Sequence, residues 1–550
     1  MPEPRNVRLA REPRMPHRDA LEAAGARILD PSRAPVVGDE RARPTAYVAN
    51  RLMVAKGERM QEQVQLLRSA AETLSWTVRL NPEPAKARHL PLGVRTVHIG
   101  GAQASVLQPP DAWALLQTAR HLHGRHALRG VDLDHVVSTR PVEPNPWDIP
   151  HSPDPSAWIQ PDHWDIPHPW DIPHPWDIPH PDGASDASAG LLSYGNLGSG
   201  GRQPIAYAGP RPARFPNSAI KGRRPVVAIL DTGCYPHYWF DGGVVKTDVK
   251  LRGHAIGYTD PATNPELHGD IGGPFDGSLD RIAGHGTFIA GLVHQACPDA
   301  QILSWRGIPA TEPLVESEWL TTLAQVTELV RLDREGKRGG HPIDVLSLSM
   351  GYYHENAADE LLDPILWSIL DELGRLGVVV VCSAGNDATD RPSYPAAFAP
   401  WKNGKGPIHR QHDRVPVVSV GAQNPNTSDA LFSNAGPWVR SYAPGASLMS
   451  TMPPFRGGLQ PTAKTWVEGR LRESVDPDDF SSGRRPDGGP RGGFGVWSGT
   501  SFSAPLMAGA LAAAMSKDLI NRANPARGAA AAVRRGWRAV ERLTDMQRPE

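Results

Sequence analysis

From about residue 221 onward, short apolar runs alternate with helical patterns, and this alternation limits the possible folds more than any other feature. The strand-like runs carry Val and Ile at consecutive positions, so both faces of each strand must be buried. Helices between such strands are typical of an α/β fold in which a parallel sheet is covered on both faces. These sheets bind ligands beyond the carboxyl ends of their strands, so residues at those ends are the candidates for function. The strand-like runs are PVVAILD, PIDVLSLSMG, VVVVCSAGN and VPVVSVGA.

A second, smaller α/β unit is predicted over residues 44–140. Its pattern is strand, helix, strand, strand, helix, strand, which is the order of a ferredoxin-like domain. Residues 1–43 form an N-terminal extension whose charges leave no apolar stretch of the kind found in secretory signals. We therefore expect a small ferredoxin-like α/β domain, followed by the parallel-sheet domain at 221–525 and a C-terminal tail at 526–550.

The segment 141–220 separates these two units and contains a repeat. Residues 163–182 read HWDIPHPWDIPHPWDIPHPD, and Gly and Ser are frequent over 183–202. Proline at every second or third position favours an extended polyproline II chain, so the first interpretation is a spacer. The second is a docking peptide for a partner with an aromatic groove, because the repeat carries Trp164, Trp170 and Trp176. The flanking prolines disfavour convergence on a metal by His163, His168, His174 and His180.

Three polar residues lie where strands end or helices begin. Asp231 closes AILD and could orient an imidazole or cap the next turn. His285 begins the helix of GHGTFIAG as either a catalytic base or a structural residue. Ser501 begins the helix of WSGTSFSAP. It could be a nucleophile, because the helix dipole stabilises the oxyanion formed during the reaction, or it could simply cap the helix. Taken singly, each favours the structural alternative, whereas the order Asp, His, Ser on an α/β framework predicts a catalytic triad.

The three motifs closely resemble those of the subtilase family, D-T/S-G, H-G-T-H-V-A-G and G-T-S-M-A-x-P. In SAGN, Asn386 follows the VVVV strand, where the family keeps a side-chain oxyanion donor. The resemblance covers about 225 to 520 and implies a subtilisin-like parallel sheet with helices on both faces. Further family-like stretches are SYPAAF (393–398), VVSVGA (417–422), LFSNAG (431–436) and YAPG (442–445).

The resemblance implies a serine endopeptidase that works through an acyl-enzyme intermediate. Ser501 is then the nucleophile, His285 the general base, and Asp231 the group that holds the imidazole tautomer. The Asn386 amide and the Ser501 backbone N–H bind the oxyanion. Two alternatives stay open: an inactive subtilase-fold binding protein, and an intracellular regulatory protease whose N-terminal domain is a permanent docking module.

The resemblance also implies where a peptide substrate binds. An extended peptide pairs with the backbone near SLSMG and with a second edge across the cleft, as an added β-strand. These stretches hold no acidic residue, so we expect apolar or small P1 side chains rather than a trypsin-like preference. The implied substrate-binding residues are Ser349, Met350, Gly351, Ser383, Ala384 and Gly385.

The chain departs from the family motifs at a few positions. Phe288 replaces the second His of the family's histidine motif, and Phe502 replaces the Met after the nucleophile. Ser503 replaces an Ala. An insertion at about 454–494, rich in Gly, Arg and Asp, is interpreted as a surface loop. None of these changes removes a triad residue.

No cofactor or metal is expected for the chemistry. Subtilases often hold structural Ca²⁺, and the loop after residue 258 offers carboxylates, but they lack the spacing of a calcium-binding loop. We interpret these carboxylates as solvated. They belong to Asp260, Asp270, Asp276 and Asp280.

The remaining expectations concern partners and location. The 44–140 unit resembles the family's inhibitory propeptide, so the chain's own N-terminal domain is the expected intramolecular inhibitor, and polypeptides are the expected substrates. The 58 basic and 59 acidic residues nearly cancel, which argues against nucleic acid or a membrane surface as a partner. The three cysteines and the lack of a secretory signal predict a cytoplasmic protein.

Overall fold

The computed structural model describes most of both predicted units. The repeat and nearly all of the 141–220 segment lie outside the described residues, as does Asp276, so the interpretations given for them stay predictions. Within the described part, no helix is both long and apolar enough to cross a bilayer. The described residues are 13, 15–16, 18–32, 34, 42–101, 109–138, 203–205, 210–271, 279–280, 282–309, 314–356, 364–453, 455, 464–473, 493–523 and 525–550.

The N-terminal unit is an antiparallel sheet with two helices packed on one face. Its strands lie in the order β5–β2–β4–β3, and β1 pairs with β2. Apolar side chains of the helices, such as Leu67 and Leu116, fill a core against the sheet. The element order from β2 to β5 is the one that the sequence predicted, while kinship with ferredoxin-like domains stays a prediction. The elements are α1 (Arg18–Ala23), β1 (Ala26–Ile28), β2 (Ala46–Ala55), α2 (Met60–Thr73), β3 (Trp76–Leu80), β4 (Val94–Gly101), α3 (Ala112–His123) and β5 (Val131–Val137).

The second unit is built on a parallel sheet of seven strands. The strands lie in the order β14–β13–β12–β11–β7–β9–β8, and every neighbouring pair is parallel. Alternate side chains of β7 enter different cores, since Ala228 and Leu230 join one apolar cluster while Val227 and Ile229 join another. Both faces are therefore covered, as the consecutive Val and Ile residues predicted. The strands are β7 (Val226–Asp231), β8 (Val245–Lys246), β9 (Gln301–Arg306), β11 (Val345–Leu348), β12 (Val379–Ser383), β13 (Val418–Gln423) and β14 (Ser441–Pro444).

Helices cover the two faces of this sheet. On one face, α4 and α7 contact each other, and α8 packs beside them in the same core. On the other face, α5 packs against α6 and is also contacted by β4 and β5 of the N-terminal unit. The helices are α4 (His285–Ala296), α5 (Glu316–Arg334), α6 (Ile365–Arg375), α7 (Thr500–Ile520) and α8 (Ala529–Leu543).

Backbone pairing joins the two units. The short strand β10 (Leu314–Val315) precedes α5 and pairs antiparallel with β5, so it extends the N-terminal sheet. Immediately after β5, Ser138 exchanges two backbone hydrogen bonds with Gly351, at 3.1 and 3.0 Å. The end of the N-terminal unit therefore lies between two backbone edges of the second unit.

The smaller elements lie at the margins of the second unit. The described part of the 454–494 insertion contains a hairpin of β16 and β17, and β6, β18 and β15 form a three-stranded sheet. The segment predicted as a tail contains α8, whose Val533 and Trp537 are buried in the core, so it completes the fold instead of trailing from it. These strands are β6 (Gln203–Pro204), β15 (Leu448–Thr451), β16 (Lys464–Val467), β17 (Arg470–Glu473) and β18 (Phe494–Trp497).

Candidate active site

Asp231 and His285 meet at the carboxyl edge of the parallel sheet. Asp231 is the last residue of β7, His285 is the first of α4, and the imidazole Nδ1 lies 2.7 Å from the Asp231 Oδ1. Thr232 N donates to the same oxygen at 2.8 Å. With Nδ1–H directed at the carboxylate, Nε2 is the ring atom that can accept a proton. Nε2 is buried and has no hydrogen-bond partner among the described residues.

A glycine lets α4 begin this close to β7. A Cβ added at Gly286 would lie 2.1 Å from the Gly233 carbonyl oxygen, so no other residue fits there without moving the backbone. Gly286, the second glycine of GHG, therefore allows the two backbones to approach closely, and this approach sets the distance between Asp231 and His285.

Glu266 links the two segments that carry Asp231 and His285. Its carboxylate accepts hydrogen bonds from the hydroxyls of Thr232 and Thr287, and from Gly286 N at 3.1 Å. The side chain is fully buried, and burial raises its pKa while these hydrogen bonds offset part of the rise. Glu266 could not be predicted from the sequence, because NPELHGD resembles an ordinary polar loop and gives no signal of burial.

Ser501 is the second residue of α7, and Pro505 explains how its backbone is held. Proline has no N–H, so the helix cannot supply the usual donor for the carbonyl four residues earlier, which is that of Ser501. The Ser349 hydroxyl supplies it instead, at 2.9 Å. In return, Ser501 Oγ lies 3.4 Å from the Ser349 carbonyl oxygen, a distance too long for a strong O–H···O bond.

The orientation of Asn386 is fixed by the start of α7. Its Oδ1 accepts from Thr500 N at 2.8 Å and from the Thr500 hydroxyl at 2.9 Å, which satisfies one of the unpaired N–H groups of the helix. The Thr500 hydroxyl in turn accepts from Gly385 N at 3.0 Å. Since the carbonyl end of the amide is held on Thr500, the NH2 end is the part of the side chain that can act as a donor.

Aromatic rings surround the imidazole of His285. Trp497 and Phe502 approach it with ring centroids at 5.5 and 5.3 Å. Phe288 and Phe502 lie 4.6 Å apart, so the two departures from the family motifs are in direct contact. Phe288 and Phe502 thus form one apolar wall beside the imidazole.

The predicted substrate-binding residues lie on two segments, and each segment contacts the start of α7, one through Ser349 and the other through Gly385. Met350 and Ala384 are buried in the core, so only their backbones can meet a peptide. A Cβ at Gly385 would lie 2.4 Å from Asn434 Nδ2, so this position has room for glycine and not for a larger residue. The prediction that Met350 and Ala384 bind substrate therefore concerns their backbones, and it stays a prediction.

Two of the four carboxylates considered for calcium accept hydrogen bonds from nearby backbone. Asp260 accepts from Ala262 N at 3.0 Å, and Asp280 accepts from Ile271 N at 2.8 Å. Among the described residues, one group of His and Glu side chains is close enough to share a cation: His135, His354 and Glu355. Both ring nitrogens of His135 contact carboxylates, so this group also belongs to the contact between the two units, and the expectation that the chain needs no metal stays a prediction.

Comparisons with known proteins match the second unit. The model of the subtilase family matches residues 222–534. The major intracellular serine protease of Bacillus subtilis is 26% identical over 251 residues, which are 42% of this chain and 62% of that protein. Serine protease AprX of the same organism is 25% identical over 255 residues, or 43% of this chain and 49% of that protein. The chain thus spans roughly half to three-fifths of the length of these two relatives.

A similarity to a solved structure is also found. The crystal structure of a lanthipeptide protease covers 57% of this chain and 80% of its own, with 18% identity and a TM-score of 0.34. The match to the family model is the stronger finding, because it extends over more than half of the 550 residues, from just before β7 into α8. The chain belongs to the subtilase family.

Proposed function

We propose that the chain is a serine endopeptidase in which Asp231, His285 and Ser501 form the catalytic triad. The observation that carries this proposal is the 2.7 Å contact between His285 Nδ1 and Asp231 Oδ1 at the carboxyl edge of the sheet. Phe502, the neighbour of Ser501, packs on the same imidazole, which brings the start of α7 to the histidine. Membership of the subtilase family and the similarity to two serine proteases support the same activity.

The proposed reaction has two halves, acylation of Ser501 and hydrolysis of the acyl-enzyme, and the same side chains act in both. Ser501 Oγ attacks the peptide carbonyl carbon while its proton passes to His285 Nε2, and the C–N bond breaks as that proton passes to the leaving amine. A water molecule then attacks the acyl carbon and gives a proton to Nε2, and the C–O bond to Ser501 breaks as that proton passes to Ser501 Oγ, which releases the acid and restores the enzyme. Asp231 stabilises the imidazolium, and Asn386 donates to the oxyanion. We propose that these steps require no cofactor, since every proton transfer has a side chain to perform it.

We further propose that the N-terminal unit inhibits the enzyme by occupying its substrate cleft. The double hydrogen bond between Ser138 and Gly351, together with the pairing of β5 on β10, is the backbone geometry of a bound peptide. Ser501 and His285 are buried in the intact chain, in keeping with an occupied cleft.

Two aspartates of β5 support this docking by capping helices of the catalytic unit. Asp134 accepts from Ser317 N at 2.9 Å in the first turn of α5, and Asp132 accepts from Ile365 N at 3.2 Å at the start of α6. Carboxylates at helix N-termini are stabilised by the unpaired N–H groups and by the helix dipole. The two aspartates therefore direct the N-terminal unit to the N-termini of α5 and α6.

The peptidase proposal is tested with a serine-reactive phosphonate and a quenched peptide library. We expect wild type to be labelled and active, and the variant Ser501→Ala to be neither. Ser503→Ala, two residues further along the same helix, is the matched control and should behave like wild type. Hydrolysis by Ser501→Ala at a rate comparable to wild type would overturn the assignment.

The inhibitor proposal is tested by intact mass. Wild type should lose its N-terminal unit by a cut C-terminal to Ser138, whereas Ser501→Ala should keep its full mass. An active wild type that stays full-length would instead favour an N-terminal unit that docks permanently.

A further inference from the structure

His135 of the N-terminal unit is held between two carboxylates of the catalytic unit. Its Nδ1 lies 2.6 Å from Glu316 Oε2, and its Nε2 lies 2.8 Å from Glu355 Oε2. All three side chains are at least 98% buried. Both nitrogens can donate only when the ring is protonated, so this arrangement suits a cation.

The two carboxylates belong to opposite walls of the cleft. Glu316 begins α5 directly after β10, which pairs with β5 on one side. Glu355 follows Gly351, which pairs with Ser138 on the other side, by four residues. The acidic pair therefore belongs to the catalytic unit, whichever peptide fills the cleft.

The backbone register defines which residue of a peptide would reach this pair. Ser138 is paired with Gly351, and His135 lies three residues before Ser138. Because the pairing is antiparallel, a peptide that continues beyond this point passes Met350 and then Ser349, whose hydroxyl contacts the Ser501 backbone. The residue whose carbonyl reacts is therefore the second residue after the one paired with Gly351. The side chain that meets the acidic pair lies five residues before that reacting residue.

We propose that Glu316 and Glu355 form an acidic subsite that selects a cationic side chain, Arg, Lys or His, in the peptide substrate at this position. The inference rests on the proposed peptidase function, and it gives that function a substrate class. His135 fills the subsite in the intact chain in the way a basic substrate residue fills it during turnover.

The surroundings of the pair favour a planar cation. The ring of Tyr352 stacks on His135 with centroids 4.5 Å apart and an interplanar angle of 20°, and a guanidinium stacks on a tyrosine in the same way. Burial alone would lower the pKa of His135, but the charge of Glu316 and hydrogen bonds to both carboxylates raise it to about 10. Nearby His354 does not compete as a cation, because burial lowers its pKa to about 4.

A neutral side chain at this position would leave the acidic pair without a cation from the peptide, although Glu355 would still contact His354 at 3.3 Å. Hydrogen bonds to charged groups contribute about 10- to 100-fold in an equilibrium constant, so the selection should be measurable even though the subsite lies far from the cut bond. An acidic side chain adds repulsion, because like charges at close range are unfavourable.

The test uses purified wild type, normalised for active sites with the phosphonate. Quenched peptides share the sequence Leu-Asp-X-Val-Val-Ser followed by six constant residues, where X is Arg, citrulline, Leu or Glu. Citrulline matches arginine in shape but carries no charge. We expect kcat/KM for Arg to exceed that for citrulline and Leu by about tenfold or more, and Glu to be the poorest.

Variants of the enzyme locate the effect. Glu316→Gln and Glu355→Gln should each bring the Arg to citrulline ratio towards one, whereas Glu335→Gln, one residue beyond the C-terminus of α5, should leave it unchanged. Cleavage of the citrulline peptide shows that each variant is folded.

The outcomes separate the two proposals. Equal cleavage of the Arg and citrulline peptides by wild type, or a preference that survives both glutamine variants, would overturn the acidic subsite and leave the peptidase standing. Failure of wild type to cut any peptide and to react with the phosphonate would overturn the peptidase, and the subsite with it.

Discussion

Glu266 is the residue whose role depends most on its structural surroundings. Its carboxylate receives hydrogen bonds from residues that directly follow Asp231 and His285, so it holds the loop after β7 against the first turn of α4. It touches no atom of the proposed reaction, and we regard it as a positioning residue for the aspartate–histidine pair.

The variant Glu266→Gln should lower kcat by about 10- to 100-fold with little change in KM, because a small displacement of catalytic groups costs rate rather than binding. Active-site titration with the phosphonate separates this loss from unfolding. Glu328→Gln is the matched control, since Glu328 is a buried carboxylate of α5 that pairs with Arg252 and Arg331. It should lower the melting temperature without lowering kcat per titrated site, and a similar kcat loss there would contradict the positioning role.

Asn386 has a narrower role in the proposed mechanism. Because Thr500 fixes its Oδ1, the amide should donate to the oxyanion from its other end. Asn386→Ala should lower kcat by roughly 10²–10³-fold with KM almost unchanged, which is the loss caused by removing the corresponding donor in subtilisin. Asn386→Asp places an acceptor in the same position and should be no better than Ala. Activity of either variant near that of wild type would remove Asn386 from the mechanism.

The residues that could be predicted from sequence are those that lie at element ends. Asp231, His285 and Asn386 follow or begin elements that the sequence outlines clearly, so the topology of a parallel sheet brings them to one edge. Glu266 lies in a loop, and its partners Thr232 and Thr287 are 34 and 21 residues away in the chain. Its function depends on a meeting of three segments that no local pattern encodes.

At the scale of elements, α4 and α7 contact each other through the aromatic wall beside His285. Phe288 of α4 and Phe502 of α7 lie 4.6 Å apart, and Trp497 packs on both at 5.7 and 5.0 Å. The contact between α4 and α7 therefore also borders the imidazole of His285.

We predict that Phe288 and Phe502 are coupled in stability. Each change to Leu removes ring contacts, and a double-mutant cycle should give a coupling energy of about 0.5–1.5 kcal/mol, as for other aromatic pairs. The measurement is urea unfolding followed by tryptophan fluorescence in the Ser501→Ala background. Phe288→Leu combined with Phe398→Leu is the control, because Phe398 lies in the core of the opposite sheet face. Additive effects for the first pair would show that the contact contributes nothing of its own.

Helices α5 and α8 were not predicted from the sequence, each for a different reason. Helix α5 is buried on almost every side, between the sheet and the N-terminal unit, so its polar and apolar residues do not separate into faces. Helix α8 has a strong amphipathic pattern, but it follows the last family motif and was predicted as a tail. The sequence-based predictions were thus limited by tertiary burial in one case and by the assumed domain boundary in the other.

At the scale of the whole molecule, the chain is held together at a charged junction. Glu316 and Glu355 lie 181 and 220 residues beyond His135, so the sequence predicted a β-strand at VDLDHVVS but not the acidic pair that receives its histidine. We therefore expect docking of the two units to depend on pH through the titratable groups buried at this junction.

The last prediction concerns the direction of that pH dependence. The pKa of His135 in the assembled chain is about 10, above the value of about 6.5 for an exposed histidine. Its contribution to stability is therefore fully present below about pH 6.5 and is lost as the pH rises through about 10. Burial raises the pKa of Asp132 to about 7, so docking also takes up a proton there and again weakens as pH rises. The contribution of His354 to stability has the opposite pH dependence. Burial lowers its pKa to about 4, so this contribution is lost as the pH falls towards that value.

The variant His135→Gln isolates the contribution of the histidine from that of other groups. In the Ser501→Ala background, which prevents self-cleavage, the melting temperature of the His135→Gln chain should lie several degrees lower at pH 6. The difference should narrow steadily towards pH 10, where the histidine loses its charge and the acidic pair loses its cation. His126→Gln, at an exposed histidine of the same unit, should show no such trend. If the His135→Gln chain instead melts below its parent by the same margin from pH 6 to pH 10, then shape, and not charge, holds the strand in the cleft.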